Sequence, residues 1–133
     1  MTISDSDSRT AWPGRSVTEG DVEGIRRIVE AALPFLSCLQ HAALEIYGQL
    51  EQDRALVWTM EELGELAQAV RRNEGRARVE EELGQLTAWM LCLANILGVD
   101  LAAAVERAIA EEIDRQLAKY GKLRPYFNGP VSR

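Results

Sequence analysis

Residues 59–72 read TMEELGELAQAVRR, and residues 78–86 read RVEEELGQL. The same EELG is written twice, closed by Glu65 in the first copy and by Gln85 in the second. Both copies lie in helical patterns. In the first, Met60, Leu63, Ala67 and Val70 recur at steps of 3, 4 and 3; in the second, Val79, Leu83, Leu86, Met90, Leu93 and Leu97 alternate steps of 4 and 3. Such spacing predicts one core-facing stripe per helix. The turn RNEGR between them is too short for any arrangement except an antiparallel pair.

Height along that hairpin can be counted. Glu65 and Glu62 lie seven and ten residues back from Arg72, and Glu82 and Gln85 lie six and nine residues on from Arg76. At 1.5 Å per residue both pairs stand roughly 10–15 Å from the turn. Glu65 is therefore expected to face Glu82, and Glu62 to face Gln85. Gly64 and Gly84 read as sites of close backbone approach, since a glycine inside a helix costs about 1 kcal/mol relative to alanine.

The remaining chain extends this into an all-α fold. Its 133 residues suit one domain, and the composition is rich in aliphatic and charged helix formers with only 4 prolines. Residues 1–16 are polar and aperiodic and read as a mobile arm. Thr18 and Asp21 open a helix carrying Val22, Ile25, Ile28 and Val29, which Pro34 is expected to end or kink. A second helix would then run from Pro34 to about Gly48 through Phe35, Leu36, Leu39, Ala43, Ile46 and Tyr47. The hairpin helices follow at about 56–72 and up to Gly98. A last helix, about 101–120, is capped by Asp100 and closed by Gly121, with Leu101, Val105, Ile109, Ile113 and Leu117 every four residues. The expectation is a bundle of four to five helices in one domain over 17–121, followed by an irregular tail, 122–133, that docks Tyr126 and Phe127.

Charge and cysteine usage narrow the function. A net charge of −6 disfavours binding to nucleic acid polymers or anionic membranes. The longest apolar run, LTAWMLCLANILGV, falls short of the roughly 20 residues that a spanning helix needs, and MTISDSDSRTAWPGRS lacks a signal-peptide core. Cys38 and Cys92 show no metal-binding spacing and read as free, buried thiols of a reducing compartment, with cytoplasm as the default. Cys38 shares a helix face with His41, which raises a thiol nucleophile and its base, but a core cysteine with a satisfied histidine is the favoured reading.

Three carboxylates meeting within ~5 Å repel by a few kcal/mol per pair at an effective dielectric near 20, and a divalent cation relieves that. Oxygen donors without cysteine or histidine suit magnesium, with manganese as a substitute, rather than zinc. A di-iron bundle would require two ExxH motifs, and the single histidine, His41, lies in none. The bland reading of Glu61 to Glu65 is a solvated acidic face. Glu111 and Asp114 also spell ExxD, but they have no facing EExxE.

EExxE at Glu61, Glu62 and Glu65, followed by ExxQ from Glu82 to Gln85, resembles the EExxE…ExxD signature of MazG-like nucleotide pyrophosphohydrolases, within the all-α NTP pyrophosphatase superfamily. The resemblance covers roughly residues 35–120. LANILGVDL resembles the family's link between its last two core helices, and KYG stands near the end of the final one. It implies magnesium-dependent hydrolysis of nucleoside or deoxynucleoside triphosphates to the monophosphate and pyrophosphate by a homodimer or homotetramer. By position, Glu62, Glu65, Glu82 and Gln85 would hold the metal, and Glu61 would hold or activate the attacking water. Gln85 departs from the family aspartate. Its amide oxygen can ligate a hard cation but brings no charge, so metal binding would lean on the substrate's phosphates. Glu81, i,i+4 from Gln85, could compensate after a small helix rotation.

Other residues keep two readings each. Trp89, two turns after Glu82, could stack on a nucleobase or pack in the core or a subunit interface. Arg71, Arg72, Arg76 and Arg78 around the turn, and Lys119, Lys122 and Arg124 after the last helix, could hold phosphates or be solvated; Arg72 and Lys119 are the substrate-binding candidates. Asp114, Arg115, Gln116 and Lys119 stand where the family usually adds lysine and asparagine contacts, without a clear match. The rival to an enzyme is a homologue that has lost catalysis and serves as a nucleotide-binding or helical interaction module.

Overall fold

The computed structural model describes residues 22–124. These form four helices and no strand: α1 (Val22–Tyr47), α2 (Gln52–Arg71), α3 (Arg76–Ile96) and α4 (Leu101–Tyr120). The expected arm, the helix start at Thr18 and Asp21, and the tail from residue 125 onward lie outside the described residues.

The two N-terminal helices expected around Pro34 are one, with Pro34 inside α1. Proline removes a single backbone bond, to residue 30. Both Pro34 and Glu30 are exposed, so water can replace the missing donor. α2 also starts earlier than residue 56, because the Glu51 carboxylate caps it and accepts from the backbone N–H groups of Asp53 and Arg54, each at 3.0 Å.

The turn that sets the hairpin register is built from positive-φ residues. Asn73 (φ 53°) ends α2 while Glu74 N–H donates to Ala69 C=O at 3.0 Å, and Gly75 at φ 97° starts α3 in a conformation that side chains rarely adopt. α2 pairs with α3, and α1 packs on α3 and α4. Between α3 and α4 the chain turns through 109°. Gln40 of α1 clamps that corner: its Nε2 donates to Val99 C=O (2.7 Å), its Oε1 accepts from Leu101 N–H (2.9 Å), and its own C=O accepts from Asn95 Nδ2 (2.9 Å). Beneath it lies the core of Ala43, Leu91 and Cys92, flanked by Leu36, Trp89 and Leu101.

The stripe expected to face the core on α2 does not, and the one expected on α3 does so only through Val79, Leu86 and Leu93. Met60 is 71 % exposed, Leu63 54 % and Val70 55 %, and Leu83, Met90 and Leu97 are also exposed. The inward face of α2 is the neighbouring row Ala55, Thr59, Glu62, Leu66 and Ala69, offset by one residue and stepping 4, 3, 4 and 3. On α3 the inward row is Val79, Glu82, Leu86, Trp89, Leu93 and Ile96. On α2 the row richer in bulky apolar residues thus faces outward, whereas on α3 the inward row keeps Val79, Leu86, Trp89, Leu93 and Ile96 and leaves Leu83, Met90 and Leu97 outside.

Cys38 is exposed rather than buried, while Cys92 is buried as expected. His41, on the same helix, is exposed and 3.8 Å from Glu45. Gly64 and Gly84 do not serve close approach, since a Cβ at either would meet nothing within 4 Å. Gly64→Ala and Gly84→Ala should therefore each stabilise the chain by about 0.5–1 kcal/mol. Urea unfolding would measure this, and a loss of stability would reveal a partner surface packed against that face.

Candidate metal centre

The offset row explains how the acids come together. Glu62 and Glu82 occupy seam positions normally filled by apolar residues, and Glu65 follows Glu62 by one turn. Oxygens of Glu62, Glu65 and Glu82, one from each carboxylate, lie within 4.8 Å of one another. Glu82 is 0 % exposed, Glu62 is half-buried and Glu65 is exposed, so the group opens from a buried floor towards solvent.

The floor is unsatisfied. Glu62 Oε2 and both oxygens of Glu82 are buried without a hydrogen-bond donor. Arg78 Nη1 stands 2.6 Å from Glu82 Oε1, yet it aims its hydrogen bond at Glu81 Oε2, 3.1 Å away. The contact with Glu82 is one of charge without hydrogen-bond alignment. Buried carboxylate oxygens that lack donors cost several kcal/mol unless a cation compensates them. Three convergent hard oxygens fit a magnesium or manganese ion and offer nothing for a soft one.

Arg78 is held charged above its ordinary range, first by the hydrogen bond to Glu81 and then by the charges of Glu82, Glu81 and Glu65, against the opposing effect of desolvation. Glu81 is turned to Arg78 and to Gln85, whose Nε2 lies 3.5 Å from Glu81 Oε1. Gln85 itself is exposed.

Beside the carboxylates lies an open pocket of about 210 Å³ lined by Tyr47, Glu62, Gln85, Ala88, Trp89 and Cys92. Glu62 and Gln85 thus share one wall, as the height count placed them. Trp89 is half-buried and touches the core, with its ring centroid 5.2 Å from Trp58 and 6.5 Å from Tyr47. Burial pushes the Cys92 thiol up, which keeps it protonated.

Other sequence candidates lie apart. Glu61 is exposed on α2, next to Glu62 and outside the three that converge. Arg72 caps the end of α2, and Lys119 lies over the Tyr120 ring at 5.3 Å in the last turn of α4; neither lines the pocket. Asp114 pairs with Arg26 (3.3 Å), Arg115 with Glu112 (2.6 Å), and Gln116 Oε1 accepts from Arg124 N–H (2.7 Å). Arg78 is among the four arginines around the turn that the sequence offers for phosphate and is i−4 from Glu82; Trp58, i−4 from Glu62, and Tyr47, without such a spacing, are not among the sequence candidates.

A helical hairpin whose seam holds a convergent carboxylate set defines an all-α protein with a candidate metal centre. Residues 50–118, just over half of the chain, match the model of the MazG nucleotide pyrophosphohydrolase domain, and the chain belongs to that family. No curated protein and no solved structure matches it significantly. Among the described residues, no single helix is long and apolar enough to cross a membrane.

Proposed function

We propose that the protein hydrolyses nucleoside or deoxynucleoside triphosphates to the monophosphate and pyrophosphate, using magnesium or, in its place, manganese. One observation carries this reading: the fully buried Glu82, whose oxygens have no aligned hydrogen bond, brings an oxygen within 4.8 Å of those of Glu62 and Glu65. Family membership supports the reaction class.

Glu62, Glu65 and Glu82 would hold the ion, with the Gln85 amide oxygen as a fourth, uncharged donor. Gln85 would reach it by giving up its long contact with Glu81. When bound, the ion supplies charge neutralisation on the phosphates and polarises the phosphorus under attack. Exposed Glu61 lies within reach of bulk water and would take the proton of the attacking molecule. The pocket between Tyr47 and Trp89 would receive the base, beside the carboxylates that position the phosphates. Arg72 and Lys119 remain substrate contacts only if the substrate extends beyond that pocket. No nucleic acid polymer or membrane is invoked, and a reducing compartment such as the cytoplasm suits the exposed thiol of Cys38.

The outward stripe Leu56, Met60, Leu63 and Val70 supports assembly as a homodimer or homotetramer, because a monomer rarely leaves so continuous an apolar face in water.

The test is pyrophosphate release from a panel of NTPs and dNTPs with magnesium or manganese. The natural chain should release it, and Glu65→Ala should abolish release. Gln85→Asp should tighten metal binding about tenfold by restoring a charge. A silent natural chain with an active Gln85→Asp variant would instead favour the second reading, a nucleotide-binding or interaction module. That reading draws on the Gln85 amide being turned to Glu81.

A further inference from the structure

We propose that Arg78 is the resident cation of this centre, and that a divalent ion enters only by displacing its guanidinium from Glu82 onto Glu81. The inference rests on the metal reading above and concerns how the centre is filled.

The geometry is that of a cation with two berths. Arg78 Nη1 sits 2.6 Å from the fully buried Glu82 and 3.1 Å from the exposed Glu81. Its hydrogen bond goes to Glu81, so the guanidinium is anchored there and only leans its charge on Glu82. Without that charge, Glu82 would be a buried carboxylate beside two others. With it, the charge of the floor is partly compensated, although its hydrogen bonds are not made. Both oxygens of Glu82 nevertheless remain without donors and can accept a better ligand.

An incoming divalent ion and a guanidinium repel when both stand at contact distance from Oε1 in a partly desolvated site, so the ion's arrival favours moving the guanidinium away. The lower-cost outcome is a small rotation of a side chain that is still 42 % exposed, with the Glu81 hydrogen bond kept. Glu81 thereby gains a role that does not require it to be a metal ligand. Displacement also makes metal binding weaker than the three carboxylates alone would give. The free protein should hold its ion loosely, and an ion arriving on a triphosphate should fill the centre more readily.

The test measures Mn²⁺ binding by electron paramagnetic resonance in the absence of nucleotide, for the natural chain, Arg78→Gln and Arg76→Gln. Arg76 carries the same charge near the same helix start but pairs with Glu80 at 2.7 Å. Arg78→Gln should bind Mn²⁺ about tenfold more tightly than the natural chain, and Arg76→Gln less than about threefold. Equal gains would show a general charge effect and overturn the proposal while leaving the metal reading intact. If none of the three binds Mn²⁺, both fall. A second readout does not depend on the variant folding. In the natural chain, titration with Mg²⁺ should shift the side-chain ¹⁵N resonances of Arg78 and not those of Arg76; an Arg78 signal unmoved at saturating Mg²⁺ would refute displacement.

Discussion

Glu82→Gln should abolish most pyrophosphate release, by about 10²–10³-fold, the loss typical of removing one preorganised electrostatic group. It should also make the metal-free protein more stable. Glu82 is a fully buried charge close to two other carboxylates, and glutamine keeps its shape without the charge. The arginine left behind is half-exposed and bonded to Glu81, so no uncompensated buried charge results. Relief of repulsion should raise stability in chelator by about 1–2 kcal/mol in urea unfolding. With magnesium the order should reverse. The natural chain gains stability by mass action in proportion to site occupancy, and the variant does not. A purely structural bundle would show the first effect without the second, because nothing would then bind the carboxylates.

The second large effect concerns assembly. Met60→Glu combined with Val70→Glu should convert the proposed oligomer to a species near the 14.8 kDa of one chain in sedimentation equilibrium, with the dissociation constant raised at least about 100-fold. Both positions are exposed in the single chain, and glutamate is a good helix former, so the fold itself should not suffer. If the natural chain already sediments as a monomer at micromolar concentration, the outward stripe is not an interface.

The hairpin and the convergence of acids were legible because two fixed quantities determine them: the 1.5 Å rise and a turn too short to allow any alternative. Glu65 and Glu62 therefore met Glu82 at the counted level. Which stripe turned inward was not legible. Leu56, Met60, Leu63 and Val70 form one row and Ala55, Thr59, Glu62 and Ala69 the next, and their spacing is the same. Bulk favoured the first row, but α2 turns the row with more small residues towards α3 and leaves its larger ones for another surface. Gly64 and Gly84 misled for a related reason, since they lie on open helix faces. Pro34 stayed within α1 because helix breaking depends on whether solvent can satisfy the orphaned carbonyl, which no local pattern reveals. Arg78 was visible as one of four arginines near the turn. Only the side-chain geometry separates it from Arg76, which is committed to Glu80.

The most direct measurement is ³¹P NMR of a dNTP mixture incubated with the natural chain and magnesium, with Glu82→Gln as control. Resonances of nucleoside monophosphate and pyrophosphate growing in equal amounts, and absent with Glu82→Gln, are the expected result. Orthophosphate with nucleoside diphosphate, or equal turnover by the variant, would contradict a carboxylate-held metal centre that cleaves triphosphates to pyrophosphate.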